Sequence, residues 1–233
     1  MTGVGANPAN STGLSLQQRA EALQADGVFL GGPIRKFATV GRNQLSILLR
    51  NGLNGDSRVL DVGCGALRAG YWLIRFLDPG CYFGIEPNRA MLQAGCERIV
   101  TAPVIAAKQP RFDHNDRFDF AVFGIEFDYV IARSIWTHTS PAQVITMLEQ
   151  FAATAPRGVM LASIKECPWY RRQHRGTGWV GKSHESDEGG TVRYRFSWIA
   201  AQARRLGLEA HRLDREYGQT WIRISQPGRP LDR

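Results

Sequence analysis

The sequence predicts an α/β fold in which a mostly parallel sheet carries helices on both faces. Three observations predict it. Short apolar runs alternate with amphipathic segments along most of the chain. Hydrophobic residues make up 43% of the 233 residues, which is enough to build a core. Two short strands joined by a tight link near the C-terminus predict an antiparallel hairpin at the end of the sheet.

The first elements divide the chain into three parts. Residues 1–15 are rich in Gly, Asn, Pro and Ser, so we expect a flexible tail there. Residues 16–54 contain apolar positions at helical spacing and predict an N-terminal helical segment. Residues 55–233 form the main domain, which opens with a buried strand in "SRVLDVG" and a helix in "RAGYWLIRFL".

Capping residues and strand signals order the rest of the main domain. "CYFGIE" predicts the second strand, and Asn88 after it predicts a helix N-cap. "FDYVIARS" predicts another apolar strand, and Ser140 begins a helix with the pattern of a capping box. "GVMLASI" predicts a further strand. Residues 165–195 then interrupt the alternation and predict an inserted loop or lid before a last helix and the closing hairpin.

Composition narrows the classes of function. The net charge is +8, and nearly all of the excess lies in residues 157–233, with 15 basic and 8 acidic groups. This excess indicates an anionic substrate, a nucleic acid or a solvated basic face. No apolar run reaches the length of a membrane span, and the N-terminus lacks the pattern of a secretory signal. The four cysteines have neither CxxC nor zinc-site spacing, so we expect free thiols in the cytoplasm and no metal site.

The stretch "VLDVGCGALRAG", residues 59–70, is the most informative turn in the sequence. Gly63 and Gly65 follow a short strand, as in the GxGxxG turn that binds dinucleotides. The third glycine of that motif lets the helix and the strand pack closely, but this sequence has Arg68 there. The large side chain argues against a dinucleotide turn.

The segment from Asp61 to Gly65 instead resembles the first motif of the class I S-adenosylmethionine-dependent methyltransferases, an acidic residue followed by GxG. The resemblance covers roughly residues 55–225, and "GCGALR" is similar to the "GCGSLR" turns of a bacterial subgroup. It implies a Rossmann-like sheet of seven strands, mostly parallel, with an antiparallel C-terminal strand. It also implies S-adenosylmethionine as the methyl donor.

The resemblance implies a donor site at the carboxyl ends of the strands. S-adenosylmethionine carries an ammonium group and no phosphate, so a carboxylate at Asp61 suits it, and Glu86 after the second strand suits the ribose hydroxyls. The expected adenine pocket lies within "RFDHNDRFDF". The residues expected to contact the donor are Asp61, Gly63, Cys64, Gly65, Ala66, Glu86, Pro87, Asn115, Asp116, Phe118, Arg133 and Ser134.

His138 is the expected catalytic residue. It follows the fourth strand, and an imidazole titrates in the range that a general base needs near neutral pH. The alternative is a histidine that only orders the loop before Ser140. The residues expected to contact the methyl acceptor are Trp136, His138, Trp169, Tyr170 and Arg171.

Three functions follow from these observations. The first is a methyltransferase that modifies oxygen or nitrogen on a small molecule such as a sugar, a lipid or a secondary metabolite. The second is an RNA methyltransferase, because basic residues alternate with aromatic ones in the inserted loop. The third is an NAD(P)-dependent oxidoreductase or a nucleotide-binding module.

Overall fold

The computed structural model describes residues 13–181 and 190–229. Most of the predicted tail, and residues 182–189 of the predicted loop or lid, therefore lie outside the described residues. None of the helices in the described part of the chain is long and apolar enough to cross a bilayer. All four cysteines are free thiols.

Seven strands form a single sheet, which confirms the predicted fold class. In spatial order they are β3-β2-β1-β4-β5-β7-β6. The first five strands along the chain run parallel, and β7 lies antiparallel to both β5 and β6. The strands are β1 Val59–Val62, β2 Tyr82–Ile85, β3 Arg111–Asp113, β4 Tyr129–Ala132, β5 Val159–Ile164, β6 Glu209–Glu216 and β7 Gln219–Ser225.

Helices pack on both faces of the sheet because the central strands are buried on both sides. Alternate residues of β1 join different clusters: Leu60 packs with α6 and α7, whereas Val59 packs with α1, α2 and α3. The helices are α1 Leu16–Ala25, α2 Phe37–Leu49, α3 Gly70–Phe76, α4 Arg89–Ala94, α5 Ala102–Lys108, α6 Pro141–Thr154 and α7 Phe196–Arg205. A π-helix, Gly95–Val100, continues α4.

The predicted caps fix where two helices begin beside the strand ends. The Ser140 hydroxyl accepts from the N–H of Gln143 at 3.3 Å, and the Gln143 side chain accepts from the N–H of Ser140 at 2.8 Å, so the capping box is complete. The Asn88 side chain accepts from the N–H of Met91 at 3.0 Å. These caps place the first residues of α6 and α4 at the carboxyl ends of the strands, where β4 and β2 end.

Candidate active site

The glycine turn after β1 is shaped by its backbone and by one close contact. Gly63 and Gly65 have φ angles of +68° and +55°, a region that side chains disfavour. A Cβ on Gly63 would lie 2.2 Å from Cδ1 of Ile135, so a larger residue would have to displace the end of that side chain. The N–H of Gly63 donates to the carbonyl of Ile85 at 2.8 Å, which ties the turn to the end of β2.

Asp61 places a carboxylate beneath this turn. Its residue surface is 4% exposed, and it accepts a hydrogen bond of 2.8 Å from the Tyr82 hydroxyl. Burial raises the pKa of Asp61 to about 7; the Tyr82 hydrogen bond lowers it and the negative charge of Glu86 raises it further. A bound cation would supply the charge that this buried carboxylate lacks in the protein.

Glu86 follows β2 and braces both the glycine turn and the start of α4. Its carboxylate accepts from the N–H of Gly65 at 3.0 Å and from the N–H of Asn88 at 2.9 Å. Burial raises the pKa of Glu86, although the two N–H donors and His114 act in the opposite direction. A carboxylate has about four acceptor positions. Glu86 therefore keeps acceptor capacity for a ligand.

Two adjoining cavities lie over the strand ends and meet at Gly63, Ile135 and Trp179. The first has a volume of about 530 Å³, and the expected site residues along it are Asp61, Gly63, Cys64, Gly65, Ala66, Glu86, Arg133, Ser134 and His138. The second has a volume of about 540 Å³, and those along it are Pro87, Asn115, Asp116 and Phe118. The structure thus brings all thirteen of these residues to one continuous cleft.

The three residues expected to form the adenine pocket differ in their contacts along the second cavity. The Asn115 side chain is bonded within its own loop, to Asp113 Oδ1 at 2.7 Å and to the backbone of Asp119 at 2.9 and 3.1 Å. Asp116 is exposed at the cavity, and Phe118 is half-buried against the core with a φ of +59°. Asp116 is therefore the polar group best placed for a ligand edge, with Phe118 as an apolar wall.

A hydrogen-bond network fixes the residues after β4. The Ser163 hydroxyl accepts from the N–H of Ser134 at 2.8 Å and from Nη1 of Arg133 at 3.1 Å. The Gln219 side chain accepts from Ser163 and donates to the Ser134 hydroxyl, each at 2.7 Å. Burial lowers the pKa of Arg133, whereas electrostatic interactions with Glu216 and Tyr217 raise it. The network holds one guanidinium and one hydroxyl at the cavity wall.

His138 is held in the form that a base requires. Its Nδ1 lies 2.6 Å from the carbonyl oxygen of Val180, and its ring stacks on Trp179 at 5.5 Å between centroids. A carbonyl can only accept, so Nδ1 carries the proton of the neutral ring and Nε2 carries the lone pair. Burial lowers the pKa of His138, and the charge of Lys165 lowers it further, against the Val180 hydrogen bond.

Four of the residues expected to contact an acceptor lie elsewhere. Trp136 is fully buried in the core, where its indole N–H donates to Met147 Sδ at 3.4 Å, so the structure places it away from both cavities. Trp169 and Tyr170 are 86% and 67% exposed and pack edge to face on the surface. Arg171 lies over the Tyr170 ring. None of these four residues lines either cavity, so their contact with an acceptor stays a prediction.

Comparisons with known proteins identify the architecture. No protein-family profile matches the chain. No curated protein sequence matches it either. Among solved structures, the glycopeptide N-methyltransferase MtfA is 15% identical with a TM-score of 0.60, over 89% of this chain and 97% of that one. Magnesium protoporphyrin IX methyltransferase (ChlM) from Synechocystis PCC 6803, with bound S-adenosylhomocysteine (SAH), is 16% identical with a TM-score of 0.57, over 90% and 93%. The fold is that of the class I methyltransferases.

Within this methyltransferase fold, Arg68 has a role that its sequence position did not reveal. Its guanidinium donates to the carbonyls of Leu30 and Gly31 at 2.8 Å and of Gly32 at 2.9 Å, and it lies over the Phe37 ring. Burial lowers the pKa of Arg68 to about 10, with a smaller contribution from Arg133. Arg68 thereby fastens a cover segment, residues 29–33, which lines the first cavity.

We expect Arg68→Met to loosen the cover segment of the methyltransferase fold. Hydrogen bonds from a charged donor contribute about 1.5–3 kcal/mol, so the free energy of unfolding should fall by about 2 kcal/mol. Chymotrypsin should also cleave faster after Phe29, which is half-exposed. Urea denaturation and limited proteolysis measure the two effects. The exposed Arg89 provides a matched control, because Arg89→Met should change neither quantity. Unchanged cleavage in Arg68→Met would contradict the assignment.

Proposed function

We propose that this protein is an S-adenosylmethionine-dependent methyltransferase that acts on a small-molecule acceptor. The observation that carries the proposal is the pair of buried carboxylates, Asp61 and Glu86, which line one cavity on either side of the glycine turn. Two carboxylates suit a nucleoside that carries positive charge and hydroxyls. They do not suit one that carries phosphates.

The residues present fit this donor along its whole length. Asp61 would hold the ammonium group, Arg133 the carboxylate of the methionine half, and Glu86 the ribose hydroxyls. Asp116 and Phe118 would bind the adenine in the second cavity. When bound, the donor supplies a methyl group on a positively charged sulfur.

The chain's own residues supply the rest of the chemistry. Nε2 of His138 would take a proton from the acceptor, because His138 lines the first cavity and the lone pair of Nε2 is free of the Val180 hydrogen bond. The cover segment and Trp179 line the cavity and would reduce the access of water to the bound donor. The network around Ser163 would hold Arg133 and Ser134 in place.

Small acceptors are favoured by the size of the cavity and by the neighbouring structures. A volume of about 530 Å³ lies within the usual range for small-molecule sites. Structures of similar fold include a magnesium protoporphyrin IX methyltransferase and CalO1, a methyltransferase in calicheamicin biosynthesis. RNA remains the second candidate, because Trp169 and Tyr170 are exposed beside Arg171 on the surface.

Titration calorimetry and methyl-group tracing test the proposal together. We expect SAH and S-adenosylmethionine to bind and NAD to bind at least about tenfold more weakly. Tritium from methyl-labelled donor should then enter the small-molecule fraction of a metabolite extract rather than the RNA fraction. Tighter binding of NAD than of SAH would overturn the donor. Label found only in RNA would overturn the acceptor class.

A further inference from the structure

The first cavity contains a positive charge that neither the proposed donor nor the cover segment uses. Asp61 and Glu86 would be matched by the ammonium and ribose groups of the donor, and Arg133 by its carboxylate. Lys165, directly after β5, lines the same cavity and has no counterpart on the donor. Its charge therefore needs another explanation.

Within residues 13–181 and 190–229, the ammonium of Lys165 has donor positions available for an anion. Its ammonium donates to the Thr191 hydroxyl at 3.0 Å, which uses one of its three protons. No carboxylate of residues 13–181 or 190–229 forms an ion pair with it. The adjacent Glu166 is bonded instead to Arg212 at 2.7 Å. As far as the described part of the chain shows, two donor positions of the ammonium are thus left for a ligand.

Lys165 also lies close to the proposed base. Both side chains line the first cavity, and the positive charge of Lys165 lowers the pKa of His138. An acceptor group placed between them would meet a proton acceptor, Nε2 of His138, and a fixed cation together. This is the environment in which a weakly acidic hydroxyl ionises.

We propose that the methyl acceptor at this site is an acidic hydroxyl compound, such as a phenol or an enol, whose oxygen Lys165 binds as an anion. This inference rests on the proposed methyltransferase function and selects oxygen over nitrogen as the methylated atom. Lys165 would be a catalytic residue, since it would touch the reacting oxygen.

The charge balance of methyl transfer supports oxygen. The acceptor O–H gives its proton to Nε2 of His138, the oxygen forms a bond to the methyl carbon, and the C–S electron pair stays on sulfur. A phenolate becomes a neutral ether, so the attraction of Lys165 is present when the nucleophile forms. A neutral amine would become an ammonium ion beside Lys165, which like-charge repulsion disfavours.

The remaining charges near the cavity do not reverse this preference. Asp61 and Glu86 lie at the ends of β1 and β2, on the donor side, whereas Lys165 follows β5. Glu216, whose charge acts on Arg133, accepts hydrogen bonds through its carboxylate from Asn43 and from Trp221. Three cations line the first cavity. Arg68 is bonded to the carbonyls of the cover segment, and Arg133 is assigned to the donor carboxylate. Lys165 is therefore left, among the described residues, for a ligand.

A coloured phenol tests this inference without knowledge of the natural acceptor. The probes are 4-nitrophenol, whose anion absorbs visible light, and 4-nitroaniline, its neutral amine counterpart. We expect the SAH complex to bind 4-nitrophenol as the anion, at least about tenfold tighter than 4-nitroaniline. The apparent pKa of the bound phenol should fall by about one unit, which absorbance against pH measures.

Variants assign the effect to Lys165. Lys165→Met should abolish the preference for the phenolate, and Lys165→Arg should retain it. Lys108→Met is the matched control. The carbonyl and the ammonium of Lys108 contact residues that precede β2, at the end of the sheet opposite the cavity. This variant should leave the binding of both probes unchanged. SAH affinity, measured by calorimetry on each variant, reports whether the donor site is intact.

The outcomes separate the two proposals. Equal binding of the two probes, an undiminished preference in Lys165→Met, or failure of both probes to bind the SAH complex would overturn the acidic-hydroxyl acceptor alone. Failure of the wild-type protein to bind SAH would overturn the methyltransferase function, and this inference with it.

Discussion

Replacing His138 with Asn should lower turnover roughly 100- to 10,000-fold, the usual contribution of a general base. The Asn side-chain amide can still donate to the carbonyl of Val180, so the loop contact survives while the lone pair of Nε2 is lost. The affinity for SAH should stay unchanged. The measurement is the rate of methyl transfer at saturating donor, with the acceptor found by methyl tracing.

The pH profile distinguishes a base from a residue that merely orders the loop. The pKa of His138 is held below its ordinary value, so the wild-type rate should rise with pH below neutrality and level off near pH 7. His138→Asn should lose that rise and regain activity only as the acceptor ionises in solution. His211→Asn, on β6, is the matched control. Full turnover in His138→Asn would remove the base assignment.

Replacing Asp61 with Asn should have two opposite effects, weaker donor binding and greater stability. Loss of a charged hydrogen bond to the donor ammonium costs about 3 kcal/mol, so SAH affinity should fall roughly 100-fold. Asn keeps an oxygen that can accept from the Tyr82 hydroxyl, so the local geometry should survive. Calorimetry gives the affinity, and urea denaturation gives the free energy of unfolding.

The sign of the stability change follows from the raised pKa of Asp61. The group ionises near its ordinary pKa of 3.8 in the unfolded chain but only near pH 7 in the folded protein, so the folded state binds more protons between those values. The free energy of unfolding therefore falls as pH rises from about 4 to 7. At pH 8 the penalty is on the order of 4 kcal/mol, and Asp61→Asn removes it.

A surface acid provides the control for this prediction. Asp56 is exposed and precedes β1, at the opposite edge of the sheet from the cavity, so Asp56→Asn should change neither quantity. Asp61→Asn with unchanged SAH affinity would contradict its assignment to the donor. A variant destabilised equally at pH 5 and pH 8 would contradict the pKa argument.

Features that depend on neighbouring residues were predictable from the sequence. The capping box at Ser140 and the cap at Asn88 involve side chains and backbone within three residues of each other, so residue type and spacing suffice. The parallel direction of most strands followed from the alternation of strands and helices, and the antiparallel end of the sheet followed from the short closing hairpin. The twelve residues that the resemblance implied for the donor, and His138, all line one cleft, although their contacts with a donor or an acceptor stay predictions.

Features that depend on distant residues were not predictable. Arg68 fills its role through carbonyls 36 to 38 residues away, in a segment without a motif. Trp136 and His138 lie two residues apart, yet one is in the core and the other lines the cavity. The positive φ of Ser134, which redirects the chain between them and β4, has no signal in the residue type. The role proposed for Lys165 could be recognised only from the positions of Thr191 and His138 in the structure.

The junction at Gly63, Ile135 and Trp179 has a thermodynamic consequence. It divides the cleft into two chambers of similar size, the first suited to the methionine and ribose groups of the proposed donor and the second to its adenine. Free methionine or free adenine would gain only one chamber's contacts and would meet the full entropic cost of association separately. A molecule whose halves are covalently joined meets that cost once, so the chambers discriminate by chelation against the cell's abundant fragments.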